Sequence, residues 1–238
     1  MKTGVIMRHL FTLVVLFFAT LLSAGVIGSV ESVRGNVKVK SEDSFKKSKV
    51  LAGLELQEGD LITTSRKGSV LIKLIDGSSV VVDKSSTIHF GDKNTIEQKD
   101  GKIFYKITSR SAKNSLKIKT PFAIIGIKGT TFVVNASKNA SLTLKEGLIG
   151  VKSVKEEFEL YRKKVQEEFN NYVSKQQSEF EKYKNAQNKY AVAEVTKEFD
   201  LESGNRISFS GNKVNEDAWS KEDDEEFKRF EQLINSMK

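Results

Sequence analysis

The run IKTPFAIIGIKGTTFVV fills residues 118–134. It holds the only proline in the chain, Pro121, and two glycines three residues apart, Gly126 and Gly129. A phosphate loop of the Walker type needs four residues between its glycines and then Gly-Lys-Ser/Thr. Here two residues intervene, Lys128 precedes the second glycine, and TTFVVN reads as strand. No helix N-terminus follows that could receive a phosphate. An architectural reading fits better. Pro121 fixes φ at about −65° and removes a ladder donor, so a strand begins or bends there, at a sheet edge. Gly126 and Gly129 allow a bulge or a close backbone approach before Phe132 and Val134 return to the core.

Outward from that stretch, residues 26–151 carry turn signals at roughly 8- to 12-residue spacing, as an all-β fold does. Asp76-Gly77 and Asp100-Gly101 are the sharpest, and Asp-Gly suits a type I′ hairpin. The segments between are β-branched and often alternate. Val70, Ile72 and Leu74 share one face, as do Ile103, Tyr105 and Ile107. In KNSLKIKT, Leu116 and Ile118 alternate with Lys117 and Lys119, and Lys113 falls on the same side as the other lysines. This predicts a half-buried strand with a basic outer face.

Residues 1–25 stand apart. MKTGVIMRH supplies Lys2 and Arg8, LFTLVVLFFATLL is uncharged, and SAG offers small residues for cleavage. That order marks a secretory signal peptide. The apolar core is short for a spanning helix, which needs roughly 20 residues. An uncleaved anchor is the alternative. Gly25 stands where a lipoprotein would need cysteine, so no lipid attaches there.

The 238 residues include no cysteine, which excludes disulfides, thiol catalysis and cysteine-bound zinc. Outside the leader the sole histidine is His89. Triads and metal sites need partners, and no calcium-loop motif is present, so no catalytic, metal or cofactor residue is assigned. The net charge of +8 is uneven. Residues 26–151 hold 21 Lys and Arg against 12 Asp and Glu, whereas residues 217–238 hold 4 against 7. A basic module would suggest nucleic acid in the cytoplasm. Export redirects it to an anionic envelope surface, with Lys113, Lys117 and Lys119 as the candidate face.

At about Ser153 the composition changes. Residues 153–190 lack Gly and Pro and hold four of the five tyrosines. Phe158, Tyr161, Phe169, Tyr172, Phe180 and Tyr183 recur at spacings of three and four, one face of a helix. Unbroken, it would be about 57 Å long at ~1.5 Å per residue; Asn170-Asn171 could fold it into a hairpin. An aromatic stripe of that length needs a partner, either the β module, a docking protein or a second copy in coiled-coil fashion. Residues 191–211 read as two closing strands about Ser203-Gly204-Asn205. Residues 212–238 read as an acidic C-terminal helix, with a capping box at Ser220 and Asp223 and a stripe of Phe227, Phe230, Ile234 and Met237. Trp219 reads as a packing anchor.

An ordered set of short motifs runs through the β segments: Gly59-Asp60, Asp76-Gly77, Thr120-Pro121 with Gly126, Gly129-Thr130 with Phe132, and Glu146-Gly147. In this order they resemble the FecR domain, over about residues 26–210. The resemblance implies a mainly β, FecR-like sandwich or solenoid-like domain, here with a long inserted helix or helical hairpin and a C-terminal helix. It implies an envelope location and brings no catalytic residues. Family regulators control a sigma factor through a cytoplasmic segment and relay a siderophore signal. Nine residues ahead of the apolar run are too few for such a segment. The expectation is therefore a non-enzymatic, periplasmic binding or scaffold module with an envelope protein partner. The alternative is a membrane-anchored sensor that signals through its partner. A glycan-cleaving enzyme would need two facing carboxylates, and Asp76, Asp83 and Asp92 read as turn residues.

Overall fold

The computed structural model describes residues 25–92, 94–108, 116–127, 129–162 and 194–236. Among these, twenty strands and one helix form three layers. In chain order the strands are β1 Val26–Arg34, β2 Val37–Lys40, β3 Ser48–Lys49, β4 Glu55–Gln57, β5 Leu61–Thr64, β6 Ser69–Leu74 and β7 Ser79–Val82. Then come β8 Thr87–Phe90, β9 Thr95–Asp100, β10 Lys102–Lys106, β11 Leu116–Lys119, β12 Ala123–Ile127, β13 Thr131–Asn135 and β14 Ser141–Glu146. The last are β15 Leu148–Ser153, β16 Phe158–Tyr161, β17 Glu194–Thr196, β18 Glu198–Glu202, β19 Asn205–Ser210 and β20 Lys213–Ala218, before the helix α1, Lys221–Ser236.

One sheet has eleven strands in the order β17-β16-β20-β19-β14-β13-β10-β7-β6-β1-β4. The second has nine, β18-β15-β12-β11-β9-β8-β5-β2-β3. The chain crosses repeatedly between them while advancing from one edge to the other, so the sandwich grows along its length as a solenoid does. Among the described residues, pairing is antiparallel except for β9 with β11 and β16 with β20. Alternating residues of both sheets fill the space between, including Val70, Ile72, Ile103, Tyr105, Ile118, Ile125, Phe132 and Leu142.

The middle strands of the eleven-stranded sheet are apolar on their outer face too. Leu71, Val81, Phe104 and Val133 project away from the inter-sheet core, and Phe227 and Phe230 of α1 cover them. The Phe104 ring stacks on Phe230 at 5.2 Å and meets Phe227 edge-on at 5.9 Å. Trp219 stacks on Phe227 at 5.5 Å and donates its indole N–H to Asp224, so it anchors the helix start. Ser220 and Asp223 form the expected capping box: the Ser220 N–H and hydroxyl both donate to the Asp223 carboxylate, and the Asp223 N–H donates back to Ser220 Oγ.

Several expectations need correction. Phe158–Tyr161 is a strand, not the start of an inserted helix. FELY satisfies period two as well as period three, and Phe158 and Leu160 use the former to enter the core. The remainder of the expected helix, including Phe169, Tyr172, Phe180 and Tyr183, lies outside the described residues. Lys213–Ala218 is also a strand, where the C-terminal helix was expected to begin. Its polar sequence has little strand propensity, but pairing with β19 and β16 on its two sides overrides that. Asp100-Gly101 is no hairpin, since β9 and β10 lie in different sheets. Asp76-Gly77 does close the β6–β7 hairpin, but only Gly77 has positive φ, so the turn is not type I′. The Gly77 N–H donates to the Leu74 carbonyl and the Asp76 carboxylate holds Ser78.

Two predictions test this core. Phe230→Ala empties the space between α1 and Phe104, and it should lower unfolding free energy by about 3–5 kcal/mol in urea denaturation. The second concerns Tyr105, stacked on Phe132 at 4.9 Å and donating its hydroxyl to Gln98. Burial pushes its phenol well above the ordinary range. The neutral form is the one the fold favours, so this contribution is complete below the unfolded value of about 10. It is lost as pH rises through the higher folded value. Tyrosinate absorbance from Tyr105 should therefore emerge only together with loss of strand circular dichroism, and Tyr105→Phe should remove that coupled component.

Candidate partner-binding surface

Most of the family-motif residues are placed at junctions between strands, while Gly126 and Phe132 lie within β12 and β13. Gly59, at φ 89°, donates its N–H to the Phe90 carbonyl, while the buried Asp60 carboxylate accepts the Gln57 N–H and the Phe90 N–H donates to the Asp60 carbonyl. This unit sets the crossing from β4 to β5. Thr120-Pro121-Phe122 is the turn of the β11–β12 hairpin. The Thr120 Oγ1 accepts the Ala123 N–H at 2.9 Å and donates to the Ala123 carbonyl, also at 2.9 Å. Pro121 sits within that turn, and both strands are interior to the nine-stranded sheet, not at its edge as expected.

Two motif pieces distant in sequence meet. A Cβ on Gly147, whose φ is 96°, would lie 2.6 Å from the Gly129 carbonyl oxygen and 2.6 Å from the Thr130 methyl. Gly129 itself has φ 68°. The contact falls beside a register shift in the β13–β14 ladder, where Thr131 faces Glu146 but Phe132 faces Leu144. Thr131 donates its hydroxyl to Glu146, and Phe132 is fully buried. Gly126 differs from both. It lies mid-strand opposite Gly150, with only the Gly150 carbonyl near the position of a Cβ, at 3.8 Å.

Catalytic groupings do not emerge from this arrangement. Among the described residues no three His, Cys, Asp or Glu side chains gather as a metal site would require. The His89 ring lies 3.3 Å from Glu97, whose other oxygen is approached by Lys119.

The charged groups sort into two faces. On the outer face of the eleven-stranded sheet, the acidic helix sits on basic strands. Lys102 pairs with Glu226, Lys145 with Glu231 at 2.6 Å, and Arg206 with the buried Asp223 at 3.0 Å. Arg229 reverses the polarity, reaching from the helix to Asp83 at 2.7 Å and lying over the Phe230 ring. The partly exposed pairs of Lys102 and Lys145 are worth about 0–1 kcal/mol each, whereas burying one Phe side chain contributes ~1.5–3. The rings hold the helix and the pairs fix its placement. Sequence reading registered a basic module and an acidic tail but did not join them.

Among the described residues no element packs on the other face. Lys117 and Lys119 project from β11 on the outer side of the nine-stranded sheet, as the alternation predicts. Lys119 approaches Glu97 at 3.9 Å; Lys113 lies outside the described residues. From Lys117 the ladder runs across Gly126 and Gly150 to Asp200. Two successive residues without side chains leave a shallow lane between a cation and a carboxylate. Beside the Pro121 turn a cleft of about 400 Å³ opens, with Phe122, Phe158 and Phe209 in its wall and Lys138, Lys155 and Asn212 among its polar lining.

Residues 60–150 match the family model described as FecR protein. None of the curated proteins matches the chain. Two crystal structures of a candidate anti-sigma factor from Parabacteroides distasonis are similar at 11% identity, with TM-scores of 0.45 and 0.44. Each alignment covers 66% of this chain, which spans 59% of theirs. A structure described as a cell surface anchoring domain aligns at 28% identity and TM-score 0.27, covering 29% of this chain and 88% of its own. Likenesses at these TM-scores are too loose to assign a function.

The two kinds of glycine respond differently to a side chain. Gly147→Val and Gly129→Val should each cost about 1–3 kcal/mol or more, from positive φ. Gly126→Ala should stay within about 1 kcal/mol of the original, as no backbone atom crowds it. Chemical denaturation of the three variants checks the contrast, and added ATP should shift none of them.

Proposed function

We propose that this chain, whose residues 60–150 match the FecR protein family model, is a non-enzymatic binding module of the bacterial cell envelope. The leader in residues 1–25 directs its export, and it acts through a protein partner. The observation that carries this reading is the asymmetry of the two outer faces. Helix α1 occupies one, while the other keeps Lys117, Lys119 and the Gly126–Gly150 lane in the open. Apart from Gly126 and Phe132, the motif residues are engaged in turns and crossings, and their contribution is a frame that presents this face.

An acidic partner segment suits the lysines, and a flat lane suits an extended backbone. Removal of the leader by cleavage near Ala24 leaves a periplasmic scaffold. Retention of residues 10–24 leaves an anchored sensor that signals through the same partner, and sequencing of the mature N-terminus separates the two. Lys117→Glu with Lys119→Glu should abolish capture of the partner from envelope extract while leaving unfolding unchanged. Wild-type capture should weaken with salt, because exposed charges are screened over ~8 Å at physiological ionic strength. Equal capture by the double variant, or salt-independent capture, removes this face from the reading. Deletion of residues 163–193 in parallel reports whether the inserted segment contributes.

A further inference from the structure

Of the seven exposed large apolar side chains among the described residues, four lie at one end of the strands. That end is defined by the first described residues. The Glu58 N–H donates to the Gly25 carbonyl, and the Ile75 N–H donates to the Ile27 carbonyl. The β6–β7 turn and the β4–β5 turn therefore flank the point where the chain arrives from residues 10–24. The loop after β2, residues 41–47, ends up there as well, because the Glu42 side chain packs on Gly59. At this end Phe45 is fully exposed, Ile75 is 76% exposed, and Val26 is 42% exposed. Leu148 starts β15 at the same end, beside Gly147, and is 51% exposed. The Phe45 loop and the Ile75 turn thus flank the attachment of an uncharged segment, LFTLVVLFFATLL, and Leu148 lies farther along the same row of strand ends, with four strands between β14 and β1.

We infer that this end of the sandwich is seated on a lipid bilayer, with Phe45 and Ile75 dipping into the headgroup region. An aromatic and a branched aliphatic side chain on turn tips can enter that region without opening the fold, and they remove apolar surface from water. Their positions beside Gly25 put them at bilayer height whenever the leader is in the membrane. The loop of Phe45 carries Glu42 and Asp43 as well as Lys46 and Lys47. Its charges cancel, so the contact is apolar and needs no anionic lipid. The open face of the nine-stranded sheet then stands along the membrane normal, clear of the surface and accessible to a partner. This goes beyond the proposed function, which would hold for a module free in the periplasm.

The absence of cysteine makes a direct test simple. Single variants Phe45→Cys, Ile75→Cys, Leu148→Cys, Leu51→Cys and Val154→Cys are made in the full chain, labelled with a fluorophore and reconstituted in phosphatidylcholine vesicles. Nitroxide-bearing lipid is the quencher. Labels at 45, 75 and 148 should be quenched, while labels at 51 and 154, away from that end, should not. Phe45→Asp with Ile75→Asp should then relieve quenching at position 148, which distinguishes a seated domain from one merely tethered. Quenching at both ends alike, at neither end, or unchanged by the Asp pair overturns the inference. So does failure to associate with vesicles, or label self-quenching that rises with protein concentration and marks a contact between copies. Loss of partner capture by the Lys117 and Lys119 variants would leave these outcomes unaffected.

Discussion

The middle of the eleven-stranded sheet is apolar on both sides, and that constraint governs the remainder of the molecule. Its inner side chains are covered by the nine-stranded sheet. Its outer ones, Leu71, Val81, Phe104 and Val133, require a separate cover, and Phe227 and Phe230 supply it. Leaving those four exposed would present a contiguous apolar patch of the kind soluble domains avoid. The helix is thus a structural layer, and its acidic character is complementary to Lys102, Lys145 and Arg206 beneath it. Part of the charge asymmetry along the chain is used in this internal contact.

A second constraint comes from crossing between sheets. Each crossing brings a turn against a neighbouring strand end, and several leave no room for a side chain. A Cβ on Gly101 would lie 2.2 Å from the Ser86 hydroxyl oxygen and 2.5 Å from its Cα. The same restriction joins Gly147 to the Gly129 carbonyl. Between these points Gln98 bridges the sheets from a buried position, donating to the carbonyls of Gly101 and Val134 and accepting from Tyr105. The network satisfies every group it buries on that amide, so it specifies the sheet-to-sheet alignment without an unpaired polar atom.

These constraints also separate the two outer faces. One is consumed by folding and the other is not. The proposed binding role rests on the face that the described residues leave uncovered, and the inferred membrane contact rests on the exposure of Phe45 and Ile75. The two surfaces do not share residues.

Much of the β module was legible because its information is local. Alternation placed Val70, Ile72, Leu74, Leu116 and Ile118 inside and Lys117 and Lys119 outside, since strand geometry ties facing direction to parity. The capping box at Ser220 and the anchoring of Trp219 were equally local. What the sequence could not decide was which sheet receives each strand. Asp100-Gly101 reads as a hairpin, yet the chain crosses there, because the partner of β10 is selected by long-range pairing with β7 and β13. FELY fits two periods, and only the neighbouring β20 and β17 settle it as strand. The outward Phe104 looks like any strand aromatic until α1 is docked on it. By itself the sequence determined the strand alternation, the helix cap and the ordered family motifs, all set within a few residues along the chain. The tertiary structure alone decided the sheet assignments, the helix on its basic bed and the open face, because each depends on contacts between segments far apart in sequence.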